Sequence, residues 1–330
     1  MSRRHTLVRI AQAAGAALAM AALHPPAWAQ VPQQGVVQIL VGFAPGGGVD
    51  NVARVLAQGL GETLGQTVVV VNRPGAGGAI AAAALKAAPA DGRTLMLAND
   101  HVAAILPLTL KRPVYDTATD FRPVGLVSNN SALGLAANGA TGVRDFQQLR
   151  ARAWAKAAPT NIGVGAPGGI PEFAVHVLRR ETGVDATAVA YRGGAQMVAD
   201  LLGGQLDYGI SGITELAPLH RDARVRVLAV SGSTRSPLLP DVPTFAELGI
   251  KGFEMASLAG FYVHARTTDD MTARLSRALR STLENPAVLK RLVDVGIYAR
   301  YGTPVEQAQQ VEAIRRTWAP VIREIGFSME

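Results

Sequence analysis

From residue 36 onward, short apolar runs alternate with amphipathic stretches, and glycine marks the joints. Val36–Phe43 is apolar, short and bounded by glycine, which predicts a strand. Val49–Leu64 places Val52, Leu56, Leu60 and Leu64 on one helical face. Val68–Val71 has no polar position and predicts a strand covered on both faces. The turn at 72–78 leads into an alanine-rich helix over Ala79–Ala88, and Asp91-Gly92 turns the chain into a strand at Thr94–Ala98. The middle repeats the pattern. Strands are predicted at Asn161–Gly165, Ala186–Ala190, Leu206–Ile210 and Arg226–Ser231. A helix carries Phe173, Val177 and Leu178, and another covers Met197–Leu202 before Gly203-Gly204 stops it. Thr272–Leu283 and Val305–Ile325 predict two helices near the end. Repeated strand–helix units of this length predict an α/β fold with parallel sheets covered by helices on both faces.

The first thirty residues do not fit this pattern. Arg3, Arg4 and Arg9 precede an apolar run from Ile10 to Leu23, and Ala27-Trp28-Ala29 forms a small-x-small cleavage site. Residues 1–29 therefore read as a secretory leader cleaved after Ala29, which predicts a periplasmic protein. The run is shorter than the roughly 20 residues of a membrane span. Arg3-Arg4 leaves both the general and the twin-arginine export routes open. The chain's net charge is +7; without the three leader arginines, 29 basic face 25 acidic residues, or +4. No Lys/Arg run occurs, so nucleic-acid binding is not expected. There is no cysteine, which excludes disulfides, zinc–thiolate sites and thiol catalysis.

One local device recurs: a strand, a glycine-rich turn and a helix start, at 46–48, 167–169 and 193–194. Any single such turn is explained by backbone freedom. Three on separate units predict amide groups free to hold an anion, at the strand ends where α/β sheets place ligands. A nucleotide fits poorly. Asn51 stands where a dinucleotide loop needs glycine or alanine, Asn72-Arg73 replaces the ribose-binding acid, and no Gly-Lys-Ser/Thr occurs. No G-x-S-x-G occurs, and the histidines show no metal-ligand spacing. No cofactor is expected. Glu172 and His176, an i,i+4 pair, read as a rim pair or as a polar contact near the second loop.

Several ordered motifs resemble the periplasmic solute receptors of tripartite tricarboxylate transporters, the Bug-type receptors. They are Phe43-Ala44, Gly46-Gly47, Asp50 and Arg54; "GQTVVVVNRPGAGG" at 65–78; Asp91-Gly92 with Thr94-Leu95; and "DFRPVGLV" at 120–127. "YRGGAQMVADLLGGQLD" at 191–207 and "LAVSGSTRSPLLPDVPTFAELG" at 228–249 follow, then Gly296, Thr303-Pro304 and Trp318. The resemblance implies a type II periplasmic-binding-protein fold, two α/β domains joined by crossing segments around a ligand cleft. Domain 1 would be 31–131 plus 253–330 and domain 2 would be 132–252, with the Gly/Asn-rich stretch 128–142 near the first crossing.

The resemblance also implies a non-catalytic, monomeric receptor that binds a small organic carboxylate through backbone amides and ordered waters. Carried over by residue, the contacts are Phe43, Pro45, Gly46, Gly47 and Asp50 from domain 1, and Ala166, Gly168, Gly169, Tyr191, Gly193 and Asp207 from domain 2. Asp50 reads equally as a helix cap, Tyr191 as hinge packing and Asp207 as structural. The partners implied are the membrane subunits of the transporter; a sensor kinase as the output, or an exported α/β enzyme, are the alternatives. The chain departs from the family at Val71, at Arg93, at "VHARTTDD" (263–270) and at the second loop, where Pro167-Gly168-Gly169-Ile170-Pro171-Glu172 replaces serines and a histidine. Glu172, if turned into the cleft, would oppose an anion.

Overall fold

The computed structural model describes residues 35–329, apart from 156, 157, 166, 192, 254–256 and 296. The leader, Ala166 and Gly296 lie outside the described residues.

Along the chain the strands are β1 (Val37–Val41), β2 (Val68–Asn72), β3 (Thr94–Asn99), β4 (Phe121–Ser131), β5 (Leu133–Asn138), β6 (Thr160–Val164), β7 (Ala186–Ala190), β8 (Tyr208–Gly212), β9 (Val225–Val230) and β10 (Ser257–His264). They form two five-stranded sheets, ordered β2-β1-β3-β10-β4 and β7-β6-β8-β5-β9. The helices that place the site are α1 (Gly48–Leu64), α2 (Ala79–Ala87), α3 (Phe146–Ala155), α4 (Ile170–Thr182), α5 (Gly194–Leu202), α6 (Ile213–Arg221), α7 (Asp269–Glu284), α8 (Pro286–Asp294) and α9 (Pro304–Ile325).

The first sheet shows why the apolar runs become strands. Val37, Ile39 and Val41 of β1 pack with Val52, Leu56 and Leu60 of α1. Leu40, pointing the other way, packs with Ala81, Ala82 and Leu85 around α2. Successive side chains alternate faces, so both faces of β1 from Ile39 to Val41 are apolar, while Gln38 is exposed; β2, at the sheet edge, has no buried residue and its Val69 is exposed, which corrects the expectation of cover on both faces. Each fully buried leucine contributes about 1.5–3 kcal/mol relative to exposure. Gly65, at φ 65°, ends α1 in the left-handed conformation that glycine adopts without strain.

Both sheets are mixed, which corrects the expectation of parallel sheets. β1 pairs in parallel with β2 (Ile39↔Val70) and β3 (Ile39↔Leu95). β10, however, runs antiparallel to β3 and β4. In the second sheet β6 is parallel to β7 and β8, while β5 runs antiparallel to β8 and β9. The cause is the crossing chain. β4 ends at Ser131 in one sheet and β5 begins at Leu133 in the other; the return between Val230 and Ser257 inserts β10 between β3 and β4. Much of 128–142 is strand. At the crossing, Leu133 N–H donates to Ser231 Oγ and Ser231 N–H donates to the Leu133 carbonyl, both at 2.8 Å. Phe245 and Phe253 stack with centroids 4.0 Å apart on the return segment.

Predicted helices extend further than the apolar pattern. α5 begins at Gly194, because Gly193 caps it, and α7 begins at Asp269 behind Thr268, whose side chain accepts from Met271 N–H. α9 opens with a reciprocal box between Thr303 and Glu306. Its Gln307, fully buried, accepts from Gly125 N–H at 2.8 Å and donates to the Phe261 carbonyl at 3.1 Å. It thus supplies partners to backbone groups where the β4–β10 register shifts. Among the described residues no helix is long and apolar enough to cross a membrane.

Candidate functional site

A cavity of about 580 Å³ lies between the two sheets, and residues from both line it. Much of its polar lining comes from the starts of four helices, and Asn99, Asp100 and His101 add polar groups at the end of β3. Each helix start leaves N–H groups without helical partners and carries the positive end of the helix dipole.

The first loop leaves β1 and enters α1. Phe43, Pro45, Gly46 and Gly47 all line the cavity. Gly46 has φ 84° and Gly47 caps the helix with an extended backbone. Asp50 stands behind this loop and is not among the lining residues. Only 1% exposed, it accepts from Gly46 N–H at 2.8 Å, Arg54 Nε at 2.9 Å and Asn72 Nδ2 at 2.9 Å. Asn72 Nδ2 also donates to the Phe43 carbonyl. Burial alone would raise the Asp50 carboxyl, but the donors Arg54, Gly46 and Asn72 together outweigh it and hold it below the usual carboxylate value. Asp50 is a brace that fixes the loop.

The second loop repeats the construction. Gly169 caps α4 and lines the cavity; Gly168, at φ 64°, precedes it. Glu172 accepts from Gly168 N–H at 2.6 Å, as Asp50 does from Gly46. Its carboxylate is thus engaged at the loop, and Glu172 does not line the cavity, nor do His176 and Arg93. Gly168 turns away from the cavity, toward the tail of the chain: a Cβ there would lie 2.8 Å from both Phe327 Cε1 and Met329 Sδ.

The third loop leaves β7 and enters α5. Gly193, at φ 143°, and Gly194 line the cavity. Tyr191 and Asp207 do not. Tyr191 N–H extends the sheet by donating to the Val164 carbonyl, and burial and the adjacent Asp200 push its phenol up. The Asp207 carbonyl accepts from Asn138 N–H at 2.8 Å. Gly165 holds the second and third loops together: a Cβ there would come within 2.8 Å of Gly194 Cα.

A fourth helix start, between β8 and α6, escaped the sequence reading. Ser211, Gly212, Ile213, Thr214 and Glu215 line the cavity. Gly212 caps α6, and Glu215 stands three residues on, as Asp50 follows Gly47 and Glu172 follows Gly169. The shared spacing G-x-x-[DE] was the available signal. Unlike the other two acids, Glu215 faces the cavity. Ser211 Oγ donates to its Oε2, and a Cβ on Gly194 would collide with that oxygen.

His101 was also missed. It follows β3, begins a short π-helical turn (His101–Ile105) and lines the cavity. Only 5% of it is exposed, and neither ring nitrogen has a partner among the described residues. Burial lowers its pKa to about 4, so the ring is neutral at pH 7. The remaining lining is largely apolar, including Leu97, Leu133, Ile170, Leu258 and Ile297. No Lys or Arg lines the cavity among the described residues. An anion here would be held by amide groups and helix dipoles, beside neutral His101.

Two mixed α/β lobes with helix starts around an interlobe cavity define a periplasmic-type solute-binding protein. The fold is the two-lobed one that the resemblance implied. The chain belongs to the tripartite tricarboxylate transporter family receptors, whose family model matches residues 52–327. It is 30% identical to the protein BugT of Bordetella pertussis over 325 residues, covering 98% of this chain and 99% of BugT. Among solved structures, it resembles R. palustris Rpa4515 with adipate (31% identity, TM-score 0.81, 88% of this chain and 97% of that one). It also resembles MatC from Rhodopseudomonas palustris with bound malate (29% identity, TM-score 0.78, 87% and 98%). Proteins of this family are receptors, and a further solved relative is described as the periplasmic binding protein BugD.

Proposed function

We propose that this chain holds a small organic carboxylate in the interlobe cavity and delivers it to the membrane subunits of a tripartite tricarboxylate-type transporter. The observation that carries the reading is the cavity itself: helix starts from both lobes meet there, without a lysine or arginine among the described residues of its wall. Backbone N–H groups hold carboxylate oxygens by charge-assisted bonds, which are short and strong. Phe43, Pro45, Gly46 and Gly47 are the contacts from one lobe, and Gly169 and Gly193 from the other. Asp50 and Glu172 act behind them. The lobes divide at 31–131 with 253–330 against 132–252, and ligand bridging them favours closure about the crossing segments. The relatives with adipate and malate support a carboxylate as the class. The protein is exported, with its leader removed after Ala29.

Calorimetry and thermal shift on the mature protein with mono-, di- and tricarboxylates test this. A bound acid at 100 times Kd adds about 2.7 kcal/mol of stability. Silence across the whole panel refutes carboxylate binding.

A further inference from the structure

The four helix starts around the cavity are not equivalent. At α1 and α4 the acid of the first turn reaches backward, to the amide of the glycine before the cap, and does not line the cavity; the acids that do, among the described residues, are Glu215 and Asp100, which follows β3 and accepts from His101 N–H. α5 has no acid in its own first turn. Instead the Glu215 carboxylate, projecting from α6, lies against Gly194, the first residue of α5. The chain thus sets its own carboxylate at one of the helix starts that line the cavity. Ser211 Oγ–H is its hydrogen-bond donor, and it forms no ion pair with a described Lys or Arg.

Two consequences follow for a ligand. The starts of α1 and α4 remain for one carboxylate, while a second carboxylate extending toward α5 meets Glu215, with no Lys or Arg among the described lining residues to offset the repulsion. Much of the rest of the wall is apolar, with Leu97, Ile170 and Leu258 among its side chains, and rewards a hydrocarbon body. We infer that Glu215 makes this receptor selective for monocarboxylates with an apolar body, against the di- and tricarboxylates. The inference rests on the carboxylate-receptor reading and narrows it to a ligand class.

The test compares length-matched acids on the mature protein by calorimetry: hexanoate against adipate, and benzoate against phthalate, with malate as a short diacid. Hexanoate or benzoate is expected to bind at least about tenfold more tightly than its diacid partner, since one like charge at close range in a low-dielectric site is worth at least that much. Glu215→Gln, which keeps the shape and the contact with Ser211, is expected to improve diacid binding about tenfold or more and to change hexanoate binding far less. Glu215→Ala serves if the glutamine variant does not fold, as judged by circular dichroism. Adipate, phthalate or malate binding wild type as tightly as the monoacids overturns the inference and leaves the receptor reading standing. Discrimination that survives in the folded Glu215 variants overturns the assignment to Glu215. Absence of binding by every acid overturns the receptor reading and this inference with it.

Discussion

Replacing Asp50 with asparagine tests whether this acid braces the first loop or meets the ligand. The carboxylate accepts from Gly46 N–H, Asn72 Nδ2 and Arg54 Nε. Asparagine keeps one carbonyl oxygen and turns an NH2 group toward donors, so either Asn72 Nδ2 or both Gly46 N–H and Arg54 Nε lose their acceptor. A hydrogen bond to a charged acceptor is worth about 1.5–3 kcal/mol. Arg54 is 54% exposed, so solvent screens its ion pair and the part-buried hydrogen bonds dominate. Asp50→Asn is therefore expected to cost about 2–3 kcal/mol in urea unfolding at pH 7. Its pH dependence checks the sign. The folded pKa lies below the unfolded value of 3.8, so the carboxylate's contribution is complete above that value and fades as pH falls through the lower, folded one. The variant should lose the part of the acid limb that Asp50 supplies. Ligand affinity should fall together with stability, because the loop amides lose their alignment. Full stability with abolished binding would refute the brace and make Asp50 a direct contact.

His101 is fully buried with its pKa lowered to about 4 from 6.5, so the unfolded chain binds the proton more readily. Stability should fall by up to about 3 kcal/mol as pH drops from about 6.5 to about 4, and His101→Gln should flatten that limb in denaturant titrations at stepped pH. Gly165→Ala puts a methyl group against Gly194 backbone, where no side chain can swing aside, and should cost about 1–3 kcal/mol and weaken ligand binding in the same calorimetry. N-terminal sequencing of the exported protein should read from Gln30; a mature chain that retains residues upstream of it refutes the cleavage site.

Much of the fold was legible because its strands are continuous apolar runs between glycine turns. β1, β2 and β3 fall within a residue or two of their predicted spans, and α1 and α9 within one. What stayed hidden depends on partners distant in sequence. β4 carries Pro123 and Gly125, and β10 carries Gly260; both are held as strands by pairing with each other and, at Gly125, by Gln307. α6 contains Pro218, a helix breaker by local rules. The antiparallel strands that make each sheet mixed arise from the crossings, which leave no periodic trace. In the site, the glycine loops announced themselves through φ-demanding residues such as Gly46 and Gly168. His101 did not, since its burial comes from tertiary packing. Glu215 shared its spacing with Asp50 and Glu172, but only the fold shows that it faces inward while they face back.

The route of the chain through the two sheets also sets an order of assembly. β5 to β9 come from one uninterrupted stretch, Leu133–Val230, so that sheet can form as soon as its residues are available. The other sheet has a gap at its centre until β10 arrives, because Ala259 must pair with Asn99 on one side and Ser128 on the other. Pairings so distant in sequence form slowly. A chain emerging from its N-terminus thus holds β1–β4 with the inner edges of β3 and β4 unsatisfied while the inserted lobe folds. Until β10 docks, those edges are open to other strands, and this is the interval in which a chaperone would be of use.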